Sequence, residues 1–495
     1  MSLNRRDFLK LTGLVASSAA LASCSPSIFQ RVAGASPLSA WTPLPGADFL
    51  ALGRLTFGPR PEERAYFVQH GLQAWVEEQL AYEAIDDFFC DLRLKPFDTL
   101  RMRAHELADL SDKIFDDLDR QTVPNELRHA TLLRQVYSRR QLFEVMTEFW
   151  SDHFNIATDK GNCFYLKTVD DREVIRKHAL GSFRDLLWAS AHSPAMLVYL
   201  DNQVNVKGAP NENYARELME LHSLGVHGGY SQQDVMELAR ALTGWTVKEH
   251  FWTGDFSFDD GQHDTGEKYV LGMRIPANGQ AEAESVVEAL AQHPSTAQFI
   301  AAKLARRFLA DPSPAEIVRR AADAFTRTHG DIRAVLRVVL LDGLPLAQPR
   351  YKRPVHFVVS ALRMLGADTD AGPAVQNYLM RMGQLAFNWP TPDGYPDRDA
   401  AWQGNLMPRW QFAFALVRGE LENTNLDLPG LRDISGAHDL PGVISALASL
   451  LLGAPLPPTQ RDEWIASVRA AGADEDETLA VLTGGILASP AFQWR

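Results

Sequence analysis

Chemistry-bearing side chains crowd into residues 201–245, where amides, carboxylates and histidines interrupt otherwise helix-forming sequence. Asn213, Glu217 and Glu220 stand at i, i+4 and i+7, so on a helix they share one face. Glu217 and Glu220, one turn apart, are the residue types that hold a hard cation or exchange a proton as general acid and base. Adding His222 completes a candidate metal set, and a divalent cation is the cofactor such a set would take. Arg216 is the candidate clamp for a carboxylate or a substrate, and Glu220 at i+4 is its expected ion-pair partner. His222 itself belongs to another face, among Ala215, Leu218 and Met219. The plain alternative for the stripe is a solvated charged face, each i,i+4 pair adding roughly 0.2–0.5 kcal/mol.

A second polar interruption lies at 149–155 (F-W-S-D-H-F-N), inside a strongly apolar run. His153 is the candidate base or ligand that would join Glu217, Glu220 and Arg216 in the catalytic set; the alternative is a satisfied core histidine. Asn155, Asn202, Asn213 and Trp245 are the candidate substrate-binding residues, because asparagine is a poor helix former and a good hydrogen-bonding orienter. His263-Asp264 is a weaker loop pair, base or simple turn. Lys352 and Arg353 put two cations at a helix start, where the dipole disfavours them, which calls for an anionic partner. The aromatic, proline-rich loop 387–396 either lines a pocket or covers the core. HExxH, G-x-S-x-G, P-loop and dinucleotide fingerprints are absent, as is the Glu-x-x-His of di-iron bundles.

These residues must be positioned mainly by helices. Apolar spacing near 3.6 predicts helices over 61–80, 127–150, 170–180, 183–191, 211–224, 232–242, 281–291, 296–309, 314–328, 331–340 and 353–365. Asn211 is the expected N-cap of its helix, and Ser231 with Asp234 a capping-box start for the next. Strand-like sequence is confined to 246–275, read as a β-hairpin. The expected fold is mainly α: one large multi-helix body over 46–422 with a small β-hairpin insertion, then a linker and C-terminal helical hairpin over 423–495. Segments 309–346 and 452–492 share a plan of proline-rich start, helix, glycine turn and second helix, a weak internal similarity.

The N-terminus reads as an address. Arg5-Arg6 followed by an apolar run ending in Leu21-Ala22-Ser23-Cys24 predicts a twin-arginine export signal over 1–23 and lipidation of Cys24, with 24–45 a Ser/Pro-rich tether. The expected location is the periplasm or cell envelope, held to the membrane by the lipid. Arg5, Arg6 and Lys10 against Asp7 give that leader +2, so the −13 chain of 495 residues would keep a body of −15. Such an acidic body argues against nucleic acid as a partner. Cys90 and Cys163 are the other two cysteines, with no metal or redox spacing, and read as buried thiols or one disulfide.

Several phrases together resemble a bacterial family known as domain of unknown function 1800. They are R-L-T-F-G-P at 54–59, the 149–155 motif, H-S-P-A-M-L-V-Y-L-D-N at 192–202, N-E-N-Y-A-R-E-L-M-E-L-H at 211–222, L-T-G-W at 242–245 and W-P-T-P-D-G-Y-P at 389–396. The resemblance implies an exported protein, with an exported phosphatase- or sulfatase-like protein as a possible partner, and carries no catalytic assignment. Two functions stand side by side. One is a metal-assisted hydrolase acting on an envelope or extracellular polymer. The other is a non-catalytic lipoprotein that binds or stabilises the exported partner.

Overall fold

Burial of apolar helix faces organises the chain. The computed structural model describes residues 46–112, 121–248 and 254–495. The export signal, Cys24 and the tether lie outside the described residues. Among those described, 22 α-helices are joined by two-stranded pairings only, so the fold is mainly α. The helices used below are α1 (Gly46–Leu55), α2 (Pro61–Leu80), α3 (Thr122–Tyr137), α4 (Gln141–His153), α5 (Phe183–Ala191), α6 (Glu212–Glu220), α7 (Gln232–Ala241), α8 (Ala281–Gln292), α9 (Pro294–Phe308), α10 (Ala315–Arg327), α11 (Pro354–Met364), α12 (Leu406–Val417), α13 (Leu440–Leu452), α14 (Pro458–Ala470) and α15 (Glu475–Ala488).

Most expected helices form within one or two residues of their predicted ends. The 127–150 run is the main exception: it splits into α3 and α4 at 138–140. The cause is a buried carboxylate. Asp87 accepts the Ser138 hydroxyl at 2.6 Å and the Arg139 N–H at 2.8 Å, and the Arg140 N–H turns back to Ser138 Oγ. That arrangement turns the chain between the two helices where sequence spacing alone would continue α3. The single hairpin expected over 246–275 is two hairpins. β1 (Trp245–Val247) pairs antiparallel with β2 (Phe256–Phe258), Trp245 facing Phe258; β3 (Lys268–Val270) pairs with β4 (Met273–Ile275), Lys268 facing Ile275. The stretch after 423, expected to be irregular, adds a short strand to Asp368–Thr369 and a helix, Leu428–Ile434, capped by Asp427. The two proline-started segments both form helix pairs: α10 with the turn into Ile332–Arg337, and α14 with α15.

One contiguous apolar core runs from Ala51 to Phe492. Its axis is α11, in which every residue from Pro354 to Met364 is buried. The N-terminal segment is clamped to much later parts of the chain by buried guanidiniums. Arg54 donates to the Gln348 carbonyl and Arg64 to the Leu450 carbonyl, 386 residues further on. Arg363 of α11 donates to Gly58 O at 2.8 Å and to Glu63 at 2.6 Å. No helix among the described residues is long and apolar enough to cross a membrane.

Candidate functional site

Helix α4 carries Leu142, Val145, Met146, Phe149 and Trp150 into the core, and Trp150 Nε1 donates to Ala179 O. Through this apolar helix run Glu144, Glu148 and Asp152, spaced four apart and so stacked on one face. Each meets arginine. Arg176 binds Glu144 through two 2.9 Å bonds and also reaches Asp171. Glu148 pairs with Arg307 from α9 and His356 from α11. Arg353, the N-cap residue of α11, lies 2.6 Å from Asp152 and 3.7 Å from Glu148. The carboxylate partner expected at this helix start is thus Asp152 for Arg353, whereas Lys352 is paired with no carboxylate among the described residues and its ammonium lies 3.3 Å from the Phe492 ring centroid. Asp397, from the loop ahead of α12, joins the cluster at 3.4 Å from Arg307.

These surroundings push two neighbouring carboxyls apart. Burial opposes ionisation of both. At Glu148, Arg307, Arg353 and His356 override burial and hold the carboxyl well below its usual range. At Asp152 burial prevails over Arg353, the charge on Glu148 adds to it, and the carboxyl rises to about 6. Asp397 is held at about 2 because Arg307 and Arg350 outweigh its burial. A pair of acids driven in opposite directions is the usual arrangement where one keeps a proton to give and the other stays charged.

Glu144, Glu148, Asp152, Asn155, Gln384 and Tyr395 line one cavity of about 50 Å³, room for roughly three to five waters at ~10–15 Å³ each. The loop 387–396 both lines and covers it. Asn155 Nδ2 donates to the carbonyls of Trp389 and Thr391, at 2.9 and 2.8 Å. The Tyr395 hydroxyl donates to Leu385 O, and the Tyr199 hydroxyl to Pro390 O. Gly394 has φ +72°, and a Cβ there would stand 2.0 Å from the Asp152 carbonyl oxygen, so only glycine lets the loop lie on α4. Asn155, expected to touch substrate, instead fastens this cover.

His153 points away from the cavity. Its Nδ1 meets Lys303 Nζ at 2.9 Å and its Nε2 the His222 carbonyl at 3.1 Å. An ammonium only donates, so Nδ1 is the acceptor and Nε2 carries the hydrogen. Burial, then the Lys303 charge, hold this imidazole neutral. His222 is also buried and neutral, pushed down to about 3, with Phe154 at 5.1 Å ring to ring and no partner on either ring nitrogen.

The 201–245 stretch has a different character. Asn202 donates to the carbonyls of Leu242 and Trp245. Asn205 donates to Asn202 Oδ1 and Ala239 O and accepts the Asn211 N–H. Asn211 caps α6 by accepting from the Asn213 N–H, while Asn213 donates to Leu200 O. These amides tie a loop to α7 and β1. Trp245 is fully buried against His192 and Phe256, its indole N–H unpartnered. Ser231 and Asp234 form the expected capping box. Arg216 pairs with Glu212 at 2.9 Å rather than with Glu220, because Gln232 bridges the same two groups. Glu220 instead accepts the Tyr230 hydroxyl at 3.2 Å. Glu217 is half-buried and its carboxyl is raised by burial and by Glu220.

Of the residues singled out in the sequence, the structure brings His153 and His222 into contact. It does not bring Glu217, Glu220 and His222 into a metal set, and no group of three or more histidines, cysteines or acids that could hold an ion exists among the described residues. His222 turns into the aromatic interior, while Glu220 faces Tyr230. Cys90 and Cys163 are buried free thiols. The residues that sequence reading missed are Glu144, Glu148, Lys303, Arg307 and Asp397. For the first two a signal existed, since E-x3-E-x3-D inside an apolar helix forces three acids onto one face.

A family model described as protein of unknown function (DUF1800) matches residues 50–494. No curated protein and no solved structure matches the chain.

Proposed function

The chain belongs to the DUF1800 family, described as of unknown function, and from its site we propose an exported, lipid-anchored envelope protein that hydrolyses an envelope or extracellular polymer by acid–base catalysis at Glu148 and Asp152. The observation that carries this reading is the pair itself: one carboxyl fixed as an anion, its neighbour raised to about 6, both facing one cavity. Asp152 gives its proton to the leaving oxygen. An attacking water supplies the hydroxyl, and the proton that water loses restores the acid form. Glu148, held by Arg307 and His356, keeps a fixed negative charge beside Asp152 and so keeps the proton on it. The cavity admits waters but no sugar ring or peptide, so a polymer reaches Asp152 when the 387–396 loop lifts. The metal-assisted version drew on a ligand set that is not assembled, and the reading here uses none of it.

The test is release of new chain ends from purified envelope polysaccharides and peptidoglycan. The wild-type rate should fall as pH rises above about 6, and Asp152→Asn should lose about 10²–10⁴-fold. A variant as fast as wild type, or no Asp152-dependent release from any polymer, overturns the reading. Export and anchoring rest on Arg5-Arg6 and Cys24; Cys24→Ser should move the protein from membrane to soluble fractions.

A second reading, a lipoprotein that binds an exported phosphatase- or sulfatase-like protein, draws support from exposed Leu406, Met407 and Trp410 on the first turns of α12. Met407→Asp should then abolish co-purification of that protein while leaving the fold intact; its undiminished recovery would sink this version.

A further inference from the structure

Among the described residues four lysines reach deep positions: two are held by carboxylates, and a third, Lys352, is buried with its ammonium 3.3 Å from the Phe492 ring centroid. Lys167 is fully buried, 2.6 Å from Asp170. Lys268 is fully buried on Glu282, with carbonyls of Asp264 and Gly266 completing its shell. Lys303 differs. It is half-buried rather than sealed, and among the described residues no carboxylate forms an ion pair with it. Its hydrogen-bond partner is Nδ1 of a neutral imidazole, His153, and the Phe299 ring lies 5.5 Å from Nζ. The position of His153 is itself fixed, by its Nε2–H to the His222 carbonyl and by packing against Trp150 and Phe154. An amine that forms no ion pair, steered by a neutral acceptor and carried on a partly exposed side chain, is the arrangement that makes lysine a nucleophile rather than a structural cation.

We propose that Lys303 is a reactive amine that captures an aldehyde or ketone as an imine. The Nζ lone pair forms the C–N bond, and the carbonyl π electrons move to oxygen, giving a carbinolamine. Loss of water then leaves the protonated imine. The water carries away the carbonyl oxygen and two hydrogens of the original ammonium, so no oxidant or reductant is needed. His153 is a positioning residue: it accepts one Nζ hydrogen and so turns the lone pair away from the imidazole.

Electrostatics point the same way. Burial is the largest influence on Lys303 and brings it down to about 8, against the pull of Asp152 and Asp397. At pH 7 about 10% of such a group is the free amine, against well under 0.1% for an ordinary lysine.

The experiment treats the full folded protein with propionaldehyde and cyanoborohydride at pH 7 and at pH 10, and maps propylated lysines by peptide mass spectrometry. Lys177, exposed on the surface, is the internal reference. At pH 7 Lys303 should be modified at least tenfold faster than Lys177, and the advantage should shrink to a few-fold at pH 10. His153→Gln should reduce the pH 7 advantage severalfold with the circular dichroism unchanged; if that variant misfolds, the wild-type ratio decides alone. Lys303 reacting no faster than Lys177 at pH 7 overturns the proposal. The proposal does not rest on Asp152 hydrolysis: an Asp152-dependent activity with an unreactive Lys303 would defeat it alone, and a reactive Lys303 with no polymer cleavage would defeat only the hydrolase reading.

Discussion

The α4 face and the 201–245 stretch are both rich in polar groups, and they use them in opposite ways. In the 201–245 stretch, Asn202 and Asn205 spend their donors mainly on carbonyls of α7 and its exit, tying backbone to backbone through neutral side chains. In α4, Glu148 and Asp152 face charges from distant elements, with a cavity between them. Neutral amides satisfied by backbone fix a shape. Buried carboxyls that compete for the same guanidinium are driven in opposite directions, one held as an anion and its neighbour keeping a proton, which is what acid–base chemistry uses.

That contrast can be broken by mutation. The largest effect is expected for Arg353→Met, which strips Asp152 of its ion pair and Glu148 of one neighbour; denaturant unfolding at pH 7 should show a loss of about 3–5 kcal/mol. A smaller loss would mean the cluster is wetter than its burial implies. Next comes Asp152→Asn, read as a pH profile. Raised above its unfolded value, Asp152 takes up a proton on folding, so its contribution falls as pH rises from about 4 to about 6. Glu148, held low, has the opposite sign: its contribution is complete above the unfolded value and is lost on acidification. Asp152→Asn should therefore remove a downward drift on the order of 2–3 kcal/mol across that window, and an unchanged profile would place the raised carboxyl elsewhere.

Within the 201–245 stretch the expected effects are smaller and independent of pH. Asn205→Ala removes the bonds to the Ala239 carbonyl, the Asn211 N–H and Asn202 Oδ1 and should cost about 1–3 kcal/mol, with no change in the slope of stability between pH 4 and 7. A changed slope would couple this stretch to the acid pair. Last, Arg216→Ala removes a partly exposed pair with Glu212 and should alter stability by under about 0.5 kcal/mol; a loss several times larger would mark Arg216 as more than a surface partner.

Much of the architecture is legible from apolar spacing, because α5 and α8 bury faces that repeat every 3.6 residues whatever they pack against. The α3–α4 break is not, since it depends on Asp87, some fifty residues upstream. The site divides in the same way. Asp152, His153 and Asn155 stand out as polar interruptions in an apolar run, and Arg353 as a cation at the wrong end of a helix. Lys303 and Arg307 sit on α9 where any amphipathic helix carries lysine and arginine; nothing local says that this face turns inward. The asparagines of 201–213 mislead for a physical reason: an amide that holds a ligand and an amide that holds a loop have the same composition, and only the identity of the bonded atom separates them.

The clamp on the N-terminal segment sets an order of events. Arg64 is made early, yet its carbonyl acceptor at Leu450 is synthesised 386 residues later. At roughly 5–20 residues per second that is a wait of about 20–80 s. Throughout it the Arg64 guanidinium lacks the acceptor that receives it in the folded protein. Contacts of such long sequence separation also form slowly once the chain is complete. Ribosome-bound chains should therefore stay open at their N-terminal end, where pulse-labelled intermediates would be cut by protease near Arg54 and Arg64 well before α4 becomes accessible.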